Sequence, residues 1–128
     1  MRHLRASLLG AAALAALIVL PGAASRARGA QQAEAPPQVI EITAERFAFT
    51  PSEVRTRPGT TLEIRLRSDD TAHGFHIVGT DVDLELPKRG KGMATVTFTP
   101  KAGRYTFECS RLCGAGHEFM RGVIVASE

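Results

Sequence analysis

Apolar and polar residues alternate along several short segments of the chain from Val39 onward. A period of two is typical of a β-strand that buries one face, because successive side chains point to opposite sides. The segments with this alternation, or with a short apolar run, are residues 39–42, 61–66, 82–86, 94–98, 104–108 and 122–126. No amphipathic helical period of useful length accompanies them. The pattern therefore predicts an all-β domain.

Turn-forming residues separate the predicted strands. Pro and Gly mark turns at residues 57–59, 88–92 and 100–103. Regularly spaced strands joined by such turns favour two antiparallel sheets packed face to face, which is an antiparallel sandwich. A length of 128 residues allows one such domain.

The beginning of the chain has a different composition. Arg2 and Arg5 precede an apolar run from Leu8 to Leu20, and small residues follow Pro21. This order is typical of a secretory signal, and the run is shorter than the roughly 20 residues that span a bilayer. We expect residues 1–24 to be a signal peptide, or a single membrane anchor if uncleaved. Residues 25–38 read as a flexible linker, and residues 39–128 as the folded domain.

The charge of the chain does not favour a nucleic-acid partner. The 16 basic and 13 acidic side chains give a formal net charge of +3. Removal of Arg2 and Arg5 with the predicted signal leaves 14 against 13, or +1. The high overall pI therefore says little about nucleic acid, and we expect no nucleic-acid partner.

The last third of the chain carries the strongest chemical signal. Four residues with metal-binding side chains lie within twelve positions there: Cys109, Cys113, His117 and Met120. Thiolate and thioether ligands favour copper, zinc or iron-sulfur centres, and a Met beside Cys and His favours copper. The only two cysteines are four positions apart, so on one tight loop both sulfurs can bridge two metal ions. A second imidazole must then come from upstream, from His73 or His76.

These residues resemble the CuA domain of cytochrome c oxidase subunit II, whose signature is an upstream His followed by C-x-x-x-C-G-x-x-H-x-x-M. The resemblance covers residues 39–126 and implies a Greek-key β-sandwich of the cupredoxin type with a dinuclear copper centre. It assigns six ligands: His73, Cys109, the backbone carbonyl of Arg111, Cys113, His117 and Met120. His76 lies three residues beyond His73 and would point to the other face of an extended segment.

The resemblance also implies a function. A CuA domain accepts electrons from a cytochrome c-like donor and passes them to the catalytic subunit of a membrane oxidase, so we expect no catalytic centre in this chain and a location in the periplasm or on the outer face of the membrane. Residues 46–50 resemble the Phe-Ala-Phe segment of some bacterial oxidases, at which electrons enter. Many family members have Glu where Arg111 stands, and an arginine cannot bind the metal that this carboxylate reaches at the subunit contact.

Further residues are expected to support the site. We expect the apolar side chains of Phe75, Leu112 and Phe119 to exclude water. Gly114 and Gly116 either give the loop the backbone freedom to fold tightly or are ordinary turn glycines. Acidic residues crowd the sequence on either side of His73: Asp69, Asp70, Asp81, Asp83 and Glu85. They form either a negative rim that steers a basic cytochrome or an ordinary solvated surface.

Other interpretations of the same residues stay open. In an oxidising compartment Cys109 and Cys113 can form a disulfide. Zinc can be held by two Cys and two His, although it has no use for Met120. A copper-handling protein would bind one Cu(I) exchangeably through the same side chains. A free-standing carrier is an alternative to an oxidase subunit. Nitrous-oxide reductase also has a CuA domain, but its His-rich catalytic domain has no counterpart among four histidines.

Overall fold

The computed structural model describes residues 35–128, which form nine β-strands and one short 3₁₀ turn. The strands are β1 (Gln38–Glu45), β2 (Ala48–Thr50), β3 (Glu53–Thr56), β4 (Leu62–Ser68), β5 (His73–Ile77), β6 (Asp83–Leu86), β7 (Ala94–Phe98), β8 (Gly103–Glu108) and β9 (Arg121–Ala126). The 3₁₀ turn spans His117–Phe119. The predicted signal or anchor and most of the predicted linker lie outside the described residues. Within residues 35–128, no helix is long and apolar enough to cross a membrane.

The strands form two sheets, in the order β2-β1-β4-β7 and β3-β9-β8-β5-β6. The all-β sandwich prediction is confirmed, but two of the strand pairs are parallel and not antiparallel as expected. Strand β1 pairs with β4 in parallel, and β3 pairs with β9 in parallel. Between β1 and β4 the chain passes through β3 in the other sheet, and a long connection of this kind is what a parallel pair requires.

The core lies between the two sheets and follows the predicted alternation. Along β4, Leu62, Ile64 and Leu66 are fully buried while the residues between them are partly exposed. Burial of each such side chain contributes on the order of 2 kcal/mol. Phe49 meets the rings of Phe75 and Phe107 edge to face, with centroids 5.8 and 5.4 Å away. These aromatic rings join the first sheet to the strands that carry the site.

Six predicted strands correspond to observed ones, and three observed strands were missed. The missed strands are β2, β3 and β5, of which β2 has only three residues. Strand β5 contains two His and a Gly, and four of its five residues are buried. A strand buried on both faces shows no alternation, so its sequence carries no period of two.

Strand pairing brings distant parts of the chain to one end of the sandwich. His73 begins β5 and lies opposite Leu86, the last residue of β6. Glu108 ends β8 and lies opposite His76 of β5. The chain therefore leaves β8 beside His73, and the loop of residues 109–120 that connects β8 to β9 starts there.

Candidate metal centre

Two buried thiols form the middle of the candidate site. Cys109 and Cys113 are both free and buried, with their Sγ atoms 3.7 Å apart. A disulfide bond would bring them to about 2.05 Å, so the structure holds two separate thiols. Metal–sulfur bonds of about 2.3 Å allow two sulfurs up to ~4.6 Å apart to bind the same ion. The sulfur pair therefore fits a shared metal.

His73 contacts the first sulfur from β5. Its side chain is fully buried, and its Nδ1 lies 3.8 Å from Cys109 Sγ. Its Nε2 lies 2.7 Å from Asp70 Oδ1. A carboxylate on the far nitrogen orients a metal-binding imidazole and raises its basicity. Asp70 therefore has a role that the motif alone did not indicate.

His117 and Met120 contact the second sulfur from the loop. His117 lies in the 3₁₀ turn, is half-buried, and has its Nδ1 3.8 Å from Cys113 Sγ. Met120 is fully buried, with its Sδ 3.9 Å from the same sulfur. The backbone oxygen of Arg111 lies 3.0 Å from Cys109 Sγ. All six candidate ligand groups thus meet at the two sulfurs.

The donors are spaced as a metal centre requires. One ligand atom from each of His73, Cys109 and Cys113 lies within 4.8 Å of the other two. Soft sulfur and imidazole nitrogen, with a thioether beside them, are the donor types that copper takes in proteins. His76 lies away from them, because its Nδ1 is 2.9 Å from the carbonyl oxygen of Val82.

Gly74 allows the loop to approach β5 closely. Its backbone N–H points to Cys109 Sγ at 3.4 Å. A Cβ at this position would overlap Ser110 Oγ and lie 2.7 Å from the backbone nitrogen of Arg111. Real Cβ atoms do not tolerate such distances to backbone, so only glycine fits here. No sequence pattern indicates this requirement beyond the glycine itself.

The two loop glycines are required for different reasons. Gly114 has a φ of 142°, a conformation that favours glycine, as expected from the sequence. Gly116 has an ordinary φ of −103°. A Cβ on Gly116 would instead overlap the ring of Phe47, which packs over this part of the loop. The expectation of backbone freedom was therefore wrong for Gly116, where the constraint is steric.

Asp70 is held ionised beside His73. Burial acts to raise the pKa of Asp70, but its hydrogen bonds with the His73 ring and with the backbone N–H of Arg46 outweigh burial and hold the pKa below its ordinary value. The negative charge therefore stays next to the imidazole at neutral pH. A charge of this sign favours a cation on the other ring nitrogen.

Cys113 carries a protonated thiol when no metal is bound. Burial, followed by the hydrogen bond to Cys109 and its charge, raises the pKa of Cys113 to about 11. Metal ions bind the thiolate, so binding must release a proton from this residue.

Most of the acidic residues around His73 are occupied by contacts. Asp69 pairs with Arg67 at 2.5 Å, and Asp70 with His73. Asp83 accepts a hydrogen bond of 2.6 Å from Ser110, and Glu85 pairs with Arg111. Among residues 35–128, Asp81 is the one member of the group with no such partner. These contacts favour a structural use of the charges over a steering rim.

Two of the three apolar side chains that were expected to exclude water are exposed and do not shield the site. Phe75 is fully buried beside His73, but Leu112 is 81% exposed and Phe119 is 74% exposed. Leu112 precedes Cys113, whose side chain points inward, so its own side chain points out. That expectation was wrong for Leu112 and Phe119. Met120, at 1% exposure, closes the site instead.

Comparison with known sequences supports the assignment of the fold and its family. The profile of the cupredoxin-like domain family matches residues 10–126. Two sequences of cytochrome c oxidase subunit 2 from Thermus thermophilus are each 34% identical over 91 residues, or 70% of this chain. The matched region spans 65% of one relative and 52% of the other, less than two thirds of either.

Solved structures give the same result. A heme-copper terminal oxidase dimer determined by cryo-EM contains a chain with a TM-score of 0.60 and 27% identity, over 70% of this chain and 65% of that one. The periplasmic domain of subunit II of cytochrome oxidase from Bradyrhizobium japonicum has a TM-score of 0.64 over 71% of this chain and 84% of that one, and at 18% identity it shows the fold alone. The predicted cupredoxin sandwich and the resemblance to subunit II are confirmed.

Proposed function

Because this chain belongs to the cupredoxin-like domain family, we propose that it holds a dinuclear copper centre of the CuA type and carries single electrons. The similarity to cytochrome c oxidase subunit 2 supports copper and electron transfer as the general activity. The ligands in this proposal are the six groups that meet at the sulfur pair, and the domain that carries them is residues 39–128.

One observation carries the dinuclear assignment. Each sulfur has its own imidazole at the same distance: His73 Nδ1 is 3.8 Å from Cys109 Sγ, and His117 Nδ1 is 3.8 Å from Cys113 Sγ. Each sulfur also has its own weak ligand, the oxygen of Arg111 at one and the thioether of Met120 at the other. One metal ion would not need two imidazoles and two weak ligands arranged in this way. Two ions held by both thiolates would use all of them.

The residues of the chain supply what such a centre needs. A copper pair held by Cys109, Cys113, His73 and His117 would supply a one-electron redox couple whose geometry changes little on reduction. Asp70 orients His73, and buried Phe75 and Met120 keep water from the sulfurs. Rigid ligands and a dry environment keep the reorganisation on electron transfer small.

We propose a cytochrome c-like protein as the electron donor and the catalytic subunit of a membrane terminal oxidase as the acceptor. The similarity to subunit 2 supports both partners. The exposed side chains of Leu112 and Phe119 offer an apolar contact surface beside His117.

We place the domain in the periplasm or on the outer face of the membrane, after export by a signal in residues 1–24 that is cleaved or kept as an anchor. A free-standing carrier is the variant of this proposal in which no oxidase is bound.

Copper handling is the second candidate. The sulfurs of Cys109, Cys113 and Met120 converge, with separations of 3.7 and 3.9 Å, and three soft donors suit a single Cu(I). Such a protein would exchange its copper readily and would leave at least one imidazole unused. Zinc bound by the two Cys and two His would be redox-silent.

A redox titration with metal analysis tests the proposal. The reduced protein is loaded with copper in the presence of equimolar zinc, desalted, and titrated with a one-electron reductant. We expect two coppers and one reversible electron per chain, and Cys113→Ser should lose that stoichiometry. A single exchangeable copper would favour copper handling, and bound zinc without a redox signal would favour a structural zinc site. Either result overturns the proposal.

A further inference from the structure

Arg46 connects two parts of the candidate site from a third segment of the chain. It lies in the two-residue turn between β1 and β2, remote in sequence from every candidate ligand. Its Nε donates a hydrogen bond of 2.9 Å to the carbonyl oxygen of Cys113, across 67 positions. Its backbone N–H donates to Asp70 Oδ2 at 3.0 Å, and the same Asp70 holds His73.

We infer that Arg46 is a positioning residue that fixes the loop at Cys113 relative to His73. The contact to Asp70 holds Arg46 close to His73. The contact to Cys113 then holds the second sulfur in place relative to that imidazole. The ring of Phe47, the next residue, packs over Gly114 and Gly116 on the same stretch of loop. This role rests on the proposed function only for its effect on bound copper.

The carbonyl of Cys113 depends on this contact. Within residues 35–128 it accepts no backbone hydrogen bond, while the neighbouring loop bonds run from Cys109 N–H to Met120 and from His117 N–H to Gly114. Gly114 follows it with a φ of 142°, so the backbone at this point is not restrained by a side chain of its own. Loss of the Arg46 donor therefore releases the second sulfur more than any other part of the site.

Arg67 provides a matched comparison. Its side chain is 56% exposed, against 51% for Arg46, and it pairs with Asp69 only two residues away. An exposed ion pair of this local kind contributes little to stability. Arg46 instead donates to the backbone of buried Cys113 from a distant strand end, so replacement of the two arginines should have different consequences.

Three variants separate the hydrogen bond from the charge: Arg46→Met, Arg46→Gln and Arg67→Met. Met and Arg have unbranched chains of similar reach, but Met lacks a donor. The Nε2 of Gln stands at the same position along the side chain as the Nε of Arg, so Arg46→Gln keeps an N–H donor without the positive charge. Because both Arg46 variants lose the same charge, a difference between them reports the hydrogen bond.

The test measures the rate at which a thiol reagent labels the reduced, copper-free full-length chain. Both sulfurs are buried, so labelling requires the loop to open. We expect Arg46→Met to label about 5-fold faster, since a partly exposed bond from a charged donor is worth about 1 kcal/mol. Arg46→Gln should label more slowly than Arg46→Met because it keeps an N–H donor, and Arg67→Met should label at the wild-type rate. Copper-loaded Arg46→Met should lose copper to a chelator faster by a similar factor.

Several results would overturn the inference. Wild-type labelling of Arg46→Met, or equal acceleration in Arg46→Gln, would exclude the hydrogen bond to Cys113 as the cause. Equal acceleration of amide exchange at buried Ile64 would mean that Arg46 acts on global stability instead. Thiol labelling and amide exchange need no metal, so they decide the role of Arg46 even if the chain binds no copper pair.

Discussion

The two halves of the candidate site offer the same atoms at the same distance but hold them differently. His73 and His117 each present Nδ1 at 3.8 Å from a sulfur. His73 is fully buried on a strand, with its other nitrogen bonded to Asp70. His117 is half-buried in a 3₁₀ turn, next to the exposed ring of Phe119. The half on the strand therefore holds its ligand rigidly, and the half on the loop brings its ligand close to the surface.

The largest effect is expected where the loop rests on the strand. Gly74→Ala would place a Cβ against the backbone of Arg111, so the loop must move, at a cost of about 3 kcal/mol. We expect exposed thiols and loss of copper binding, measured by thiol labelling and metal analysis. Gly59→Ala is the control. Its φ of 78° costs about 1–2 kcal/mol, but the added Cβ would have no atom within 4 Å outside the adjacent residues, so the site should stay intact. An intact site in Gly74→Ala would contradict the role given to this close approach.

Removal of each imidazole should separate stability from binding. In the metal-free protein, His73→Ala is expected to lower the free energy of unfolding by about 2–3 kcal/mol, because it leaves a cavity and removes the imidazole partner of Asp70 Oδ1. His117→Ala should change that free energy by less than about 0.5 kcal/mol, since the side chain is half-buried in a loop. Both variants should fail to hold two coppers. Chemical denaturation measures the first difference, and equal destabilisation by both changes would remove the distinction between the halves.

The carboxylate behind His73 should affect metal binding more than folding. Asp70→Asn keeps the shape of the side chain but removes the negative charge next to the His73 imidazole. The loss of such a partner costs about 10–100-fold in metal affinity. Asp69→Asn removes the same charge one residue away and should bind copper like the wild type. Competition with a copper chelator measures both affinities. Equal affinities in the two variants would show that Asp70 does not act through His73.

The smallest effect is expected at the unpaired acidic residue. Asp81→Asn should change the rate of reduction by a basic cytochrome c by less than about twofold at physiological salt. Phe119→Ser should lower that rate about fivefold, because it removes apolar contact area worth about 1 kcal/mol. Stopped-flow mixing measures both rates. A larger effect of Asp81 than of Phe119 would restore the acidic rim as the docking surface.

The sequence predicted the loop half of the site better than the strand half. Cys109, Cys113, His117 and Met120 lie close together in the chain, so their spacing alone indicates a common site. Gly74 and Arg46 act through contacts between distant segments, and Asp70, although only three residues from His73, is also held by the distant Arg46. No local pattern records these contacts. Their roles could be assigned only after the strands were placed.

The same division holds for the fold. Strands with one buried face, such as β4 and β7, alternate and were found from the sequence. Strand β5 is buried on both faces and has no period, and the parallel pairing of β1 with β4 depends on how the chain crosses between sheets. Periodicity indicates which face of a segment is buried but not which strand the segment pairs with. The order and direction of the strands therefore cannot be predicted from it.

The most direct test of the dinuclear centre is electron paramagnetic resonance of the copper-loaded, oxidised protein together with its copper content. We expect two coppers per chain and a signal whose hyperfine splitting arises equally from both nuclei. That result requires both sulfurs to bridge the ions and each imidazole to bind one of them. A signal localised on one copper, or one copper per chain, would contradict it.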